Sequence, residues 1–464
     1  MGHRLSTPDH AFSAKMPLMA KRLELIDSLV EQYPDLPSEA IFKEDLLRTG
    51  ISFSEDGLRV ASGFKPKAYF IFSFDLVPIS DMQMNENLRA PEEICLTGGK
   101  RNFRRTIVSV RLNPNSPYQV GISDQGEPVL MLENCEVAGV QFEEMPEYYR
   151  KTLGSGKPIT DIAPTIEWGY LLYLTVFRIC QYFGHKEECQ FCDINENYRQ
   201  QKKSGRSYTG VKSVEEVVEA LEIINETDSR SHAYTVTGGS ITSELNGKSE
   251  VEFYVPYPEA IEKRFPGRWI GKVVVQALPK EEVQRFKDAG VQIYHPNYEV
   301  WDPRLFEIIC AGKNRYIGRD EWIRRILDAA EVFGPSQVIP NFVGGIEMSQ
   351  PHGFQDVDEA IASTTEGLEF FMSRGVSPRF TTWCPEPLSV LGKQNPGGAP
   401  LEYHLKLLRA WRDTHEKYGL DPLPGYGRPG IGQAVFSVSS FMDVMRTTDH
   451  RPQATDHRPT DQQT

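Results

Sequence analysis

The chain is poor in cysteine. Seven cysteines are spread over 464 residues, an odd number and mostly scattered, which excludes the disulfide framework of a small secreted domain. Long apolar runs are also missing. The longest, Tyr170 to Phe177, is far short of the roughly 20 residues that cross a bilayer. The N-terminus lacks the apolar stretch of a signal peptide, so the expectation is a cytoplasmic protein with no membrane partner. Met1 to Ser6 fits the loose myristoylation pattern, but so short a motif matches often by accident, and a disordered leader is the preferred reading. Basic residues are in deficit, 51 against 64 acidic, for a net charge of −13. An acidic body repels phosphate backbones, which argues against nucleic acid as a general partner.

What is present is an ordinary globular composition, 39% hydrophobic and 25% charged, in a chain long enough for two or three domains. Residues 1–165 read as an α+β region of unknown role. Leu23, Ile26, Leu29 and Val30 recur at helical spacing until Pro34 stops the pattern. Strands are predicted at Ala68–Phe74, Thr106–Leu112 and Val129–Leu132. Gly154 to Pro158 reads as a linker.

Beyond it, short apolar strands alternate with amphipathic helices. Strands are predicted at Tyr170–Phe177, Ala233–Thr237, Lys272–Gln276, Val291–Tyr294, Gln337–Val343 and Arg379–Thr382. Ser213 with Glu216 three residues on is a capping box opening the first helix. Other helices are predicted near Lys280–Ala289, Arg319–Val332 and Asp356–Phe371. Six strand–helix alternations imply a parallel sheet with helices outside it. The predicted fold class is α/β, a partial (β/α)6 TIM-type barrel over 166–445 preceded by the α+β region. Residues 446–464 repeat a Thr-Asp-His-Arg-Pro unit and are predicted to form a disordered, solvated tail.

Three of the cysteines cluster. Cys180, Cys189 and Cys192 fall at and after the end of the first strand of the alternating region, where loops build the active site of a parallel α/β barrel. Three thiolates can hold three irons of a [4Fe–4S] cluster and leave the fourth iron open to chemistry. Phe191 would shield one side of that cluster. The alternative is a Cys3His zinc site completed by His185, in a non-catalytic binding or scaffold protein; zinc sites ordinarily use two close pairs, and only one is present. Cys384, just past the sixth strand, is a candidate hydrogen-atom donor or substrate contact, with a buried structural thiol as the alternative. Cys310, in an apolar helical run, reads as core, and Cys95 and Cys135 have no partner spacing. Gly425 to Gly430 matches G-x-G-x-x-G without the strand–turn–helix context of a dinucleotide site, and reads as a loop.

The segment Cys189-Gln190-Phe191-Cys192 resembles the end of the radical S-adenosylmethionine (radical SAM) motif C-x3-C-x2-C, with an aromatic before the last cysteine. Its first gap is eight residues instead of three. Thr237-Gly238-Gly239-Ser240 is similar to the family's GGE segment, which binds the methionine amine of SAM, with Ser240 in place of the acidic residue. Asn341 to Glu347 is similar to the fifth-strand segment that contacts adenine, through Gly344 and Gly345. His295, Asn297 and Glu299 follow the fourth strand, where the family's polar residues reach ribose or methionine carboxylate. The resemblance, over roughly 170–425, implies a [4Fe–4S] cluster and SAM as cofactors. It implies reductive cleavage of SAM to a 5′-deoxyadenosyl radical that abstracts hydrogen in a biosynthetic reaction. It further implies a small-metabolite substrate, with a peptide compatible, and an electron donor such as flavodoxin or ferredoxin. A side chain at Gly239 is expected to block SAM without disturbing the cysteines, because only glycine lets a ligand approach the backbone closely.

Overall fold

The computed structural model describes residues 16–78, 88–205 and 209–446, with backbone alone over 16–21. The Met1–Ser6 pattern and the tail from 447 onward lie outside the described residues.

The N-terminal region opens with a helix, Met16–Gln32, whose Ile26 and Leu29 are buried at the predicted spacing. A second helix, Ser38–Thr49, ends at Gly50, whose φ of 74° suits glycine. Strands β1 (Ser52–Phe53), β2 (Glu93–Gly98), β3 (Phe103–Ser109), β4 (Tyr118–Ile122), β5 (Pro128–Leu132) and β6 (Cys135–Phe142) follow. Among the described residues they form one sheet in the order β1-β4-β5-β6-β2-β3, antiparallel except for β1 against β4.

The predicted strand at Ala68–Phe74 is absent. Tyr69 and Phe74 take positive φ, 52° and 49°, which breaks extended backbone. Side chains take up the segment's backbone groups instead. Glu92 accepts from the Ala68 N–H at 2.8 Å, Asn197 donates to Ile71 O at 3.1 Å, and Glu386 accepts from the Phe74 N–H at 3.3 Å.

The predicted linker is a tight turn. The Leu153 N–H donates to Lys157 O at 2.8 Å, with Gly156 at φ 81°. Lys157 pairs with Glu216, and the Gly154 N–H donates to Glu219 at 2.6 Å. The turn is thereby fastened to the following helix, Val214–Thr227.

The second half holds β7 (Thr165–Ile166), β8 (Leu171–Phe177), β9 (Ala233–Gly238), β10 (Ile270–Val274), β11 (Ile293–His295), β12 (Asn341–Gly344) and β13 (Arg379–Thr382). Strands β8 to β11 run parallel in chain order, with β7 antiparallel at the edge beside β8. Strands β12 and β13 pair parallel as a second sheet. Two parallel bridges, Tyr294–Val338 and Glu299–Phe342, connect the sheets. All six predicted parallel strands are thus present, in α/β alternation.

Helices pack on the outer face. Ser213 caps Val214–Thr227 by accepting from the Glu216 N–H at 3.1 Å, and Glu216 returns the bond to the Ser213 N–H at 3.1 Å. Such a cap contributes about 1 kcal/mol. Alternation of period two along each strand decides what is buried where. Leu172, Leu174, Val236, Val273 and Tyr294 are buried in the main core with Val217, Leu221, Phe286 and Ile326 of the helices. Their neighbours along the strands face the other side.

Candidate functional site

The residues on that other side are mostly polar. Cross-strand register sets Tyr173, Thr235 and Lys272 in one row, then Thr237 and Val274 with His295 in the next. Asn341 pairs with Arg379, and Val343 with Thr381, in the second sheet. The corresponding positions of a closed β/α barrel are packed with branched apolar side chains. Here they line a cavity of about 230 Å³.

Cys180, Cys189 and Cys192 all line that cavity. The loop that carries them is held at several points. Asn195 Oδ1 accepts from the Cys180 N–H at 2.7 Å, and Ser240 O accepts from the Gln181 N–H at 3.0 Å. The Gln190 N–H donates to Ile309 O at 2.9 Å, and the Gly312 N–H donates to Glu187 O at 2.8 Å. Burial pushes the Cys180 thiol up to about 12, against the backbone N–H groups of Tyr182 and Ser240 that face its sulfur. Cys192 is likewise pushed up by burial, with the Ile194 N–H at its sulfur. Cys189 moves the other way: the Cys310 thiol hydrogen-bonded to it, helped by the Lys313 charge, holds it below the ordinary thiol range.

Cys310 is therefore more than core packing. It sits between the helices Pro303–Ile309 and Ala311–Tyr316, fully buried, with its sulfur against Cys189. The donor set fits an iron–sulfur cluster, because N–H and S–H groups aimed at sulfur favour metal-bound thiolate over a buried free one. His185 is exposed and tilts on Tyr316 at 6.2 Å. Among the described residues no three His, Cys, Asp or Glu side chains gather around a point where a single metal ion would sit.

Beside the cysteines, Gly238 closes strand β9 and Gly239 follows it. A Cβ on Gly238 would meet Phe177 O at 2.4 Å, and one on Gly239 would meet Ile179 O at 2.2 Å and Cys180 Cα at 2.5 Å. The expectation that a side chain at Gly239 would leave the cysteines alone is corrected by this contact. Gly239→Ala is expected to displace Cys180 and to lower iron content and melting temperature together. A variant with full iron and only weakened SAM affinity would contradict that geometry.

Ser240 offers no carboxylate, but Glu250 supplies one at the same edge. It accepts from the Ile241 N–H at 2.8 Å and from Gln276 Nε2 at 2.6 Å, and burial pushes it up to about 7.

No protein-family model matches the chain. A curated relative, bacteriochlorophyllide c C-7(1)-hydroxylase of Chlorobaculum limnaeum, is 24% identical over 168 residues, 35% of this chain and 39% of that protein. The chain thus spans well under half of that relative's length. Solved structures that match include methylornithine synthase, at 13% identity and TM-score 0.38 over 55% of this chain and 64% of that one. Coproporphyrinogen III oxidase from Escherichia coli, a radical SAM enzyme, matches at 11% identity and TM-score 0.33, over 54% of this chain and 52% of that one. The chain resembles radical SAM enzymes.

The sequence names further positions, and the structure distributes them unevenly. Phe191, Gly238, Gly239, Ser240, Asn297, Glu299 and Cys384 line the cavity with the three cysteines. Asn297 Oδ1 is buried without a donor. Glu299, at φ 80°, accepts from Lys313 Nζ at 2.6 Å; a non-glycine residue there is held against its preference. Gly344 and Gly345 do not line the cavity. A Cβ on Gly344 would meet Leu407 at 2.7 Å, and Gly345, at φ 111°, lies against Ala399 and His404. Val343 is the residue of that strand end that reaches the cavity.

Sequence reasoning missed several lining residues. Phe70, Ile71, Phe72 and Phe74 come from the N-terminal region, and Glu386 from the loop after β13. Lys313 and Tyr426 had only one local signal each, the neighbourhood of Cys310 and the glycine-rich loop that carries Tyr426.

Proposed function

We propose that the chain is a radical SAM enzyme that binds a [4Fe–4S] cluster through Cys180, Cys189 and Cys192. The observation that carries this reading is that three cysteines, each with an N–H or S–H donor at its sulfur, line one cavity beside the Gly238–Gly239 edge. In this reading the parallel strands form a partial (β/α)6 barrel over 166–445, and residues 1–165 are a separate unit whose Phe70–Phe74 segment closes over the mouth. A [4Fe–4S] cluster held by Cys180, Cys189 and Cys192 would supply, together with SAM, the one-electron chemistry needed to remove hydrogen from unactivated carbon.

The chain's own residues then have definite tasks. Gly238, Gly239 and Ser240 present backbone to the methionine part, with Glu250 as the nearby carboxylate. Asn297 Oδ1 accepts from a ribose hydroxyl or the amine, and Glu299 is held in place by Lys313. The Val343–Gly345 strand end faces the adenine through Val343. Phe191 and Phe70–Phe74 exclude water, which protects a reactive centre from side reactions. The cavity takes a small metabolite; a peptide would have to enter past the phenylalanines. Of the reactions open to such enzymes, the match to a hydroxylase favours oxidation at carbon. The electron would come from a flavodoxin or ferredoxin. Among the described residues no helix is long and apolar enough to cross a membrane.

Anaerobic reconstitution with iron and sulfide tests the reading. Brown protein that cleaves SAM when reduced supports it; stoichiometric tight zinc with no cluster sinks it.

Cys384 is assigned to the substrate. It is buried beside Glu386 at the cavity wall, where burial pushes its thiol well up and keeps it protonated. Cys384→Ala is expected to leave iron content and uncoupled SAM cleavage in place and to reduce product formation. A destabilised variant with normal turnover would return the residue to packing alone.

A further inference from the structure

The cavity extends along the strands, past the cysteines, to a second polar centre around Lys272 and Arg379. Lys272 points into it from β10 and is 1% exposed. Its Nζ lies 3.7 Å above the centre of the Tyr426 ring and meets no hydrogen-bond acceptor. Arg379, at the start of β13, also lines the cavity, and its Nε has no partner. Its guanidinium lies 5.6 Å from the ring centres of Tyr426 and of Phe436.

The groups around them are already oriented. His295 Nδ1 is 2.7 Å from Ile339 O, which makes Nδ1 the protonated nitrogen and leaves Nε2 to accept from Tyr426 Oη at 3.3 Å. Glu93 accepts from the backbone N–H groups of Glu167 and Trp168 at 2.7 and 2.8 Å. Glu167 keeps Oε2 without a donor and reaches Lys272 only as a charge.

A buried ammonium with no acceptor costs several kcal/mol. Aromatic faces soften that cost without cancelling it. An ammonium without an acceptor and a guanidinium whose Nε is open, on the walls of one cavity, are what a site built for an anion looks like before the anion arrives. Burial, with the Arg379 charge beside it, also holds the Lys272 amine below its ordinary range.

We propose that Lys272 and Arg379 bind a carboxylate group of the substrate in this second part of the cavity. A carboxylate offers lone pairs to both donors at once. A dianionic phosphate suits the place less, because Glu167 offsets one of the two positive charges. Lys272 is level with Thr235, four residues along β9 from Gly239. At about 3.3 Å per residue the carboxylate would sit roughly 13 Å from the cysteine level. The substrate would therefore react at a carbon several bonds away from its acid group. This assignment rests on the radical SAM reading for the place of reaction, but the binding itself does not need a cluster.

The test uses the full chain and two probes of equal shape, hexanoate and hexanamide, with binding followed by ligand-observed NMR. Wild-type protein is expected to bind hexanoate at least tenfold more tightly than hexanamide. Lys272→Met is expected to lose that preference. Arg379→Gln should weaken hexanoate in the same direction and serves where Lys272→Met does not fold. Equal binding of the two probes, no binding of hexanoate, or unchanged preference in the variants overturns the inference. Iron content and SAM cleavage of the same wild-type preparation judge the radical SAM reading separately. A good cluster without carboxylate preference sinks only this proposal, and carboxylate preference without iron uptake sinks only that reading.

Discussion

Cys189→Ala is expected to abolish the cluster: iron in anaerobically prepared protein should fall from about four per chain to near zero. Cys180→Ala and Cys192→Ala should do the same. Cys189 is set apart from the other two because the Cys310 thiol and Lys313 both act on it. That contact also defines the informative failure. If Cys189→Ala retained a full cluster, Cys310 would be the replacement ligand, and the double variant with Cys310→Ala would then lose it. Full iron in that double variant would remove the cysteine loop from the metal altogether. Iron and sulfide analysis with absorption spectra decides between these outcomes.

The largest effect on stability is expected at Lys65. Its Nζ is buried against Glu143, lies 3.7 Å from Glu93 and donates to Thr165 O at 3.0 Å. It ties the N-terminal sheet to the edge strand of the parallel array. Lys65→Met leaves Glu93 without its cation and Glu143 with only Arg230 at 3.6 Å, a loss of about 3–5 kcal/mol, against a total of about 5–15 kcal/mol for a typical domain.

The loss should depend on pH with a definite sign. Burial already pushes the Glu143 carboxyl up, and Lys65 is the charge that opposes it most. Without Lys65 the folded state holds its proton more strongly than the unfolded state does. Stability then falls as pH rises from the ordinary carboxylate range through the raised folded value. Melting temperatures of Lys65→Met and wild type should therefore lie closest together in acid and separate towards neutral pH. Lys65→Met with Glu143→Gln should recover part of the loss, because it removes one buried carboxylate charge. A uniform deficit at every pH would mean that the stem of Lys65 matters and its charge does not.

Much of the α/β half was legible in the chain because its signals are local. Strand-length apolar runs at Ala233–Gly238 and Arg379–Thr382 sit between helical patterns. The Ser213–Glu216 box marks a helix start that the structure keeps to the residue. The place of Cys180 at the end of the first parallel strand followed from the same alternation. The run at Ala68–Phe74 misled because its apolar side chains do not sit in a sheet. They cover a cavity, and its backbone groups are taken by side chains far away in the chain.

The sequence by itself determined the alternation of strands and helices after residue 166 and the loop that carries three cysteines. Periodicity and capping act between residues a few positions apart, so they can be read without knowing the fold. Tertiary structure alone decided what those elements meet. Gly239 must be glycine because Cys180 passes 2.5 Å from where a Cβ would lie. Cys310 reaches Cys189, and Glu250 stands where Ser240 offers no charge. Lys272, Arg379 and Tyr426 converge on one part of the cavity from β10, β13 and a late loop. These depend on strand register and on which face each residue takes when distant segments pack, and no local pattern in the chain carries that information.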